Sequence, residues 1–263
     1  MAVAEQRSDI EAPKARGEAT EVAKPRRRRT KVEQRADKME QILDAAEYLF
    51  SIHGLYGVTL KDVALRVGVH HTLLNYYFTD KKKLFDAVIA RRAEVTSSLR
   101  MKALDDYEAA SGGEPTVEGA LRAFLDTDLD LYSQGGENWK NYGALGAQVS
   151  NTPYGAELMD LHFDPVVLRL IDLLKKALPD CAEEDIFWGY HFVTGALMLT
   201  LARTGRINRL SGGLCDSDDF GAVKDRMATF MAAGFMSICK SAPGASRQAR
   251  SGSGKQAEIG ETA

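Results

Sequence analysis

From Met39 onward, large apolar residues recur at three- and four-residue steps. Ile42, Leu43, Ala46, Leu49 and Phe50 share one face of a helix, and Gly54 is placed to close it. In the string TLKD, Thr59 takes an N-cap position and Asp62 stands three residues on. That is a capping-box-like start for a second helix carrying Val63, Ala64 and Val67. Gly68 breaks this helix, and a short third one runs from about His70 to Tyr76. A long helix opens near Lys81 and runs to about Ala109, ended by SGGEP. Helical segments follow at about 116–133, 138–151, 155–178, 183–204 and 217–240, with Gly- and Pro-containing breaks between them. No stretch alternates with the period of a strand and no repeat is visible. The pattern predicts an all-α protein.

Composition changes this picture at the two ends. Residues 1–35 are rich in Ala, Glu, Lys, Arg and Pro and poor in large apolar groups, as is 241–263 in its small polar way. Both are expected to be disordered. Between them the pattern divides into a small helical domain at 36–85 and a larger helical domain at 86–240. The net charge of −3 hides an asymmetry. Residues 24–92 hold 15 Lys and Arg against 8 Asp and Glu, whereas 93–263 hold 16 against 24. A basic front on an acidic body suggests that only the front meets a polyanion.

The remaining bulk properties narrow the class. A hydrophobic content of 44% and a charged content of 27% suit a folded soluble chain. The longest apolar run, near Phe192 to Ala202, is too short for a membrane span and is broken by Thr and Gly. The polar N-terminus lacks the apolar core of a signal peptide. Cys181, Cys215 and Cys239 are odd in number and lack metal-ligand spacing, so reduced thiols in a cytoplasmic protein are expected.

The densest chemistry lies in VGVHHTLLNYYFTDKKKLF, Val67 to Phe85. Two short helices meeting through RVGVHH have the shape of a helix-turn-helix, in which Gly68 supplies the positive φ of the turn. A generic helical hairpin would also satisfy that much. The aromatic and basic residues that follow favour a nucleic-acid reader. Phe78, with part of Tyr76, is expected to fill the small core, leaving tyrosine hydroxyls free for phosphate oxygens. Lys81, Lys82 and Lys83 oppose the dipole of the helix they open, an arrangement explained if an anion binds there. Arg26, Arg27, Arg28 and Arg29 form a basic cluster that reads either as an arm reaching into a minor groove or as a solubilising tail. His70 and His71 point about 100° apart on a helix, with no neighbouring Cys or carboxylate to complete a metal site. No metal and no cofactor is expected.

The stretch ILDAAEYLFSIHGLYGVTLKDVALRVGVHHTLLNYYFTDKKKLF resembles the DNA-binding domain of the tetracycline-repressor (TetR) family over about 45 residues. It shares the Ile-x-x-Ala-Ala-x-x-Leu-Phe first helix and the Gly-x-x-x-x-Thr step into the second. It also shares the Val-Gly-Val turn, the Leu-x-Tyr-x-Phe close and the Lys-x-x-Leu-Phe opening of the fourth helix. The resemblance implies that Thr59 touches phosphate and that His71 and Thr72 face base edges, with His70 at the start of the reading helix. Tyr76, Tyr77 and Lys81 would then grip the backbone. Asn75 stands where the family commonly carries a tyrosine, and His70-His71-Thr72 departs from the usual residues, so the operator is this chain's own.

The body completes the expectation. Segment 183–204 is apolar almost all round, and 217–240 nearly so, with Ala232, Ala233 and Gly234 allowing close helix approach. A helix apolar on every side must be covered on every side. The resemblance implies that these two segments form a four-helix bundle in a homodimer, and a two-fold dimer matches the spacing of successive major grooves, about 34–36 Å. The intervening 116–178 region would hold an effector pocket. Its candidate liners are Phe124, Tyr132, Trp139, Tyr142, Met159, His162, Phe163, Trp188 and His191, aromatic enough to hint at a hydrophobic or aromatic effector. The function expected is a ligand-responsive transcriptional repressor. An activator of the same fold and a nonspecific architectural DNA-binding protein are the alternatives. No nucleophile elbow, paired acid/base carboxylates or metal spacing points to an enzyme. SGSGKQ near the C-terminus lacks the first glycine, the Ser/Thr and the preceding strand of a phosphate loop.

Overall fold

A computed structural model describes residues 30–240. Its elements are α1 (Lys31–His53), α2 (Leu60–Val67), α3 (His71–Tyr77), α4 (Lys81–Ala110) and α5 (Val117–Gln134). They continue with α6 (Glu137–Val149), α7 (Pro153–Ala177), α8 (Glu183–Leu201), α9 (Arg206–Leu210) and α10 (Phe220–Lys240). The described residues contain helices and connections only, so the fold is all-α. No described helix is long and apolar enough to cross a membrane. The basic cluster Arg26–Arg29 and the segment 241–263 lie outside the described residues.

The head forms as its caps dictate. Thr59 and Asp62 make the expected capping box at the start of α2, and Gly68 ends the helix at φ 72°, a left-handed conformation that a side chain resists. Leu74 of α3 and Phe78 are buried beside Ile42, Phe50 and Val63. The Phe50 and Phe85 rings meet edge-on at 5.1 Å, joining α1 to α4. Of the tyrosine pair, Tyr77 packs against this core while Tyr76 is 73% exposed, the reverse of the sequence expectation. The short helix α3 turns Leu74 and Tyr77, three apart, to the same side.

Helix α1 begins at Lys31, well before Met39 and inside the stretch expected to be disordered. Thr30 and Glu33 form a second reciprocal capping box there. Polar composition is the misleading signal; the local T-x-x-E hydrogen bonds need no apolar face. Helix α9 likewise falls where the sequence predicts only a turn. Here Asn208 and Arg203 bind Asp216 and Asp218, which fixes the segment through polar contacts rather than periodic burial.

In the body, α4 packs on α5 and α7, α6 on α1 and α8, and α10 on α5 and α8. Helices α8 and α10 cross where a Cβ on Gly189 would come within 2.2 Å of the Phe235 ring, so the crossing requires glycine. The same packing brings Cys181 and Cys239, 58 residues apart in sequence, into a disulfide with a Cα–Cα distance of 4.8 Å. This corrects the expectation of three reduced thiols, which spacing along the chain could not test. Cys215 is free and exposed.

The head is tied to the body by charge. Glu47 of α1 is fully buried. It accepts from Arg91 Nη2 at 2.9 Å and from Arg92 Nε at 3.0 Å, while Arg91 also reaches Glu40 and Asp44. Removing one member of a buried pair strands the others' charge. Glu47→Ala should therefore lower unfolding stability by about 3 kcal/mol, measured by urea denaturation.

A second clamp joins α4 to α7, where Glu108 accepts from Lys176 and Arg169. These bonds hold its carboxyl below the ordinary glutamate value. A depressed carboxylate pKa stabilises the fold above the unfolded-state value, and the gain is lost as pH falls through the folded one. Glu108→Gln should melt below the unaltered protein at neutral pH. The gap should close as pH is lowered past about 4 in thermal-denaturation scans.

Candidate functional site

Helix α3 presents one outward face made by Thr72, Asn75 and Tyr76, with His71 half-buried at its edge. His70 is the N-cap: its Nδ1 lies 2.9 Å from the Thr72 hydroxyl, and its ring lies 4.5 Å from that of His71. Thr72 is thus held in place by its cap. Thr59 is exposed at the start of α2, where its hydroxyl and N–H both donate to Asp62 Oδ2 at 2.7 and 2.8 Å. These bonds lower the Asp62 carboxyl below its ordinary value, so it stays ionised and the cap stays formed.

The basic residues divide into structural and free groups. Lys81 Nζ donates to the carbonyls of Tyr56 and Val58 at 3.3 and 3.2 Å, which fastens the loop before α2 to the start of α4. Lys82 lies 3.9 Å from the centre of the Tyr154 ring, whereas Lys83 is exposed. The N-terminus of α4 is already capped by Asp80, which accepts from the Lys83 N–H at 2.9 Å. With that carboxylate in place, the α4 N-terminus does not require an external anion. One further cation joins the site from outside the helix-turn-helix stretch. Arg35 of α1 sits 5.2 Å from the Tyr77 ring and 5.9 Å from the Tyr76 ring, so α1 delivers its first turns to the end of α3. The Thr30–Glu33 capping signal, which starts α1 ahead of Arg35, is the clue available in sequence.

The second site is internal. Helices α4 to α8 line a cavity of about 230 Å³ that opens to solvent beside Asp160 and Asp164. Of the candidate liners, Phe124, Tyr132, Tyr142, Met159 and Phe163 border it. Tyr190, Thr194 and Leu197 of α8 border it as well, positions that the sequence alone does not mark as liners. Four candidates lie elsewhere. Trp139 is half-buried under the Arg92 guanidinium, at 4.8 Å. His162 offers its backbone carbonyl to Ser97 Oγ at 2.8 Å. Trp188 and His191 occupy the outer face of α8, with Trp188 51% exposed and stacked on Phe192. The sequence shows an apolar helix but not which of its sides faces inward.

Sequence reasoning also misses the cavity's charges. Arg100 Nη2 meets Asp128 Oδ2 at 2.6 Å with both side chains buried, and Arg100 lies 4.2 Å over the Phe124 ring. Tyr132 donates to Asp128 at 3.3 Å. Burial raises the Asp128 carboxyl above its ordinary value, opposed by Arg100, and keeps the Tyr132 and Tyr142 phenols protonated far above neutral pH. Arg100 Nε and Asp128 Oδ1 are buried without hydrogen-bond partners. Arg100 comes at the depth of a long helix in a polar-looking string, with no periodic cue that it turns inward.

Comparison with known proteins matches both regions. Residues 42–88 match the model for bacterial regulatory proteins of the tetR family, and 122–234 match the tetracyclin repressor-like C-terminal domain. The chain is 24% identical over 169 residues to the HTH-type transcriptional regulator BetI of Escherichia coli O17:K52:H18, covering 64% of this chain and 84% of BetI. Among solved structures, HlyIIR, a hemolysin II transcriptional regulator, aligns over 74% of this chain and 97% of its own, with a TM-score of 0.51 and 16% identity. A TetR-like transcriptional regulator from Rhodococcus sp. RHA1 aligns over 76% and 97%, with a TM-score of 0.50 and 20% identity.

Gly146 gives a direct probe of the cavity. It lies within α6 and borders the cavity, and a Cβ built there meets nothing within 4 Å. A helix-interior glycine costs about 1 kcal/mol relative to alanine. Gly146→Ala should therefore raise the melting temperature by a few degrees in a calorimetric scan, and Gly146→Leu should occupy the cavity without unfolding the protein.

Proposed function

Because the chain belongs to the TetR family of transcriptional regulators, we propose that it is a ligand-responsive repressor that binds a palindromic operator as a homodimer in the cytoplasm. The observation that carries this reading is an outward polar face on α3 together with a cavity among α4 to α8 whose wall helix α6 touches α1. Tyr142, Gly143 and Gly146 place α6 against the cavity. Gln148 on the same helix donates to the Ser51 carbonyl of α1 at 2.6 Å, and Trp139 lies under the Arg92 that binds Glu47. An effector that binds one arrangement of α6 better than another would shift α1 and α4, and with them the spacing of two reading helices.

Thr72, Asn75 and His71 would then read base edges, while Thr59, Tyr76, Tyr77 and Arg35 would bind phosphates. Lys81 would act chiefly by holding the α2 loop. The unpartnered apolar faces of α8 and α10 support a dimer: Phe192, Leu199 and Phe230 are 56%, 70% and 73% exposed in a single chain. Trp188 and His191 would belong to that interface rather than to the pocket.

Selection from random duplex DNA at about 150 mM salt, where nonspecific phosphate binding is weak, should enrich a two-fold palindrome. Asn75→Ala or Thr72→Ala should weaken binding to it by about tenfold while relaxing its sequence. No enriched sequence would sink the repressor reading. Phe192→Glu together with Phe230→Glu, both at exposed positions, should leave the fold intact and convert a dimer to a monomer in analytical ultracentrifugation. Palindrome binding should fall with it.

A further inference from the structure

A threonine hydroxyl can give or take a hydrogen bond, so a threonine in a DNA groove ordinarily discriminates little between bases. Thr72 is not free in this way. Its backbone N–H points at His70 Nδ1 from 3.5 Å, and its Oγ1 lies 2.9 Å from the same nitrogen. An amide N–H can only donate. A proton on Nδ1 would stand against the amide hydrogen, so Nδ1 carries its lone pair and the ring proton sits on Nε2. The Thr72 hydroxyl, within reach of that lone pair, is then the donor. What Oγ1 has left is lone pairs only, on a residue exposed beside Asn75 and Tyr76 on the outward face of α3.

We infer that His70 fixes the proton of the Thr72 hydroxyl, so that Thr72 meets DNA as an acceptor and reads the exocyclic amine of a base pair. In the major groove that amine is adenine N6 or cytosine N4, whereas thymine and guanine present the keto oxygens O4 and O6. Each base pair carries one amine and one keto oxygen, on opposite strands. An acceptor therefore tells a pair from its inverse, which a freely turning hydroxyl does not. His70 acts here as a positioning residue and need not touch the base. This rests on the reading of α3 as the base-contacting helix, and it names what one of its side chains reads. Asn75, one turn on, does not supply the same sign, because its amide offers a donor and an acceptor together.

The test uses the palindrome recovered by random-duplex selection, bound by the full-length protein in mildly alkaline buffer and followed by fluorescence anisotropy. The pair facing Thr72 is the one whose preference relaxes in Thr72→Val, which keeps the methyl and removes the hydroxyl. At that pair, purine for adenine or 2-pyrimidinone for cytosine deletes the amine. 5-Methyl-2-pyrimidinone for thymine or 2-aminopurine for guanine deletes the keto oxygen instead. Losing the amine should weaken binding by about fivefold, as one neutral hydrogen bond allows, and losing the keto oxygen should not. Thr72→Val should respond to neither, which separates the contact from any change in the duplex itself. Inverting the pair should cost the unaltered protein about fivefold, and His70→Ala should bring that ratio close to one. His70→Asn, whose amide oxygen caps the helix and accepts from the hydroxyl, should restore it. A purely structural role for His70 would weaken both orientations equally. An inversion ratio that survives His70→Ala, dependence on the keto oxygen, or no pair that relaxes in Thr72→Val would overturn the inference alone. Long-range proton–nitrogen NMR spectra of the free protein should show His70 as the Nε2–H tautomer, and the Nδ1–H tautomer would overturn it too. A selection that enriches no sequence would overturn the repressor reading together with the inference.

Discussion

Glu47 is a carboxylate without access to solvent, and a charge in that position has to be neutralised where it stands. Arg91 and Arg92 do so from α4, so the long helix that carries the body is fixed to the first helix of the head at one depth and one rotation. Much else depends on that registration. Phe85 meets Phe50 because α4 is held there, and Lys81 at the start of the same helix reaches back to the loop that opens α2. The buried ionic contact thus adds a fixed point to the apolar packing that joins α1 to α4.

The same guanidinium that binds Glu47 covers Trp139 on α6. Helix α6 borders the cavity with Tyr142 and its two glycines and touches α1 through Gln148. Between the cavity wall and α3 stand α6, α1 and α2, each packed on the next. Packed layers shift between discrete arrangements rather than deforming smoothly, so a displacement of α6 would reach α1 as a change of packing.

At the opposite side of the body the constraint is the absence of cover. Gly189 lets α8 and α10 cross closely, and the Cys181–Cys239 disulfide ties the α7–α8 connection to the end of α10. That leaves Phe192, Leu199 and Phe230 facing outward from a pre-formed surface. Such a face suits a second copy of the chain, because little further ordering would be needed on association.

The helices, most of their caps and the family of the head are legible in the order of residues. Periodicity and capping are local: Thr59 finds Asp62 three residues on, and Gly68 needs only its own backbone freedom. Residue types that act where they stand are accordingly readable, including the exposed face of α3. The inward and outward sides of a helix apolar all round are not, which is why Tyr132 and Tyr142 border the cavity while Trp188 and His191 look away from it. Arg100 and Asp128, Arg35 and the tyrosine pair, and Cys181 and Cys239 are equally hidden as partners, since each pair meets only when two distant helices pack. Local hydrogen bonds and period are written in consecutive residues. The rotation of one helix against another is set by the whole core at once, and it becomes readable only when the helices are packed together.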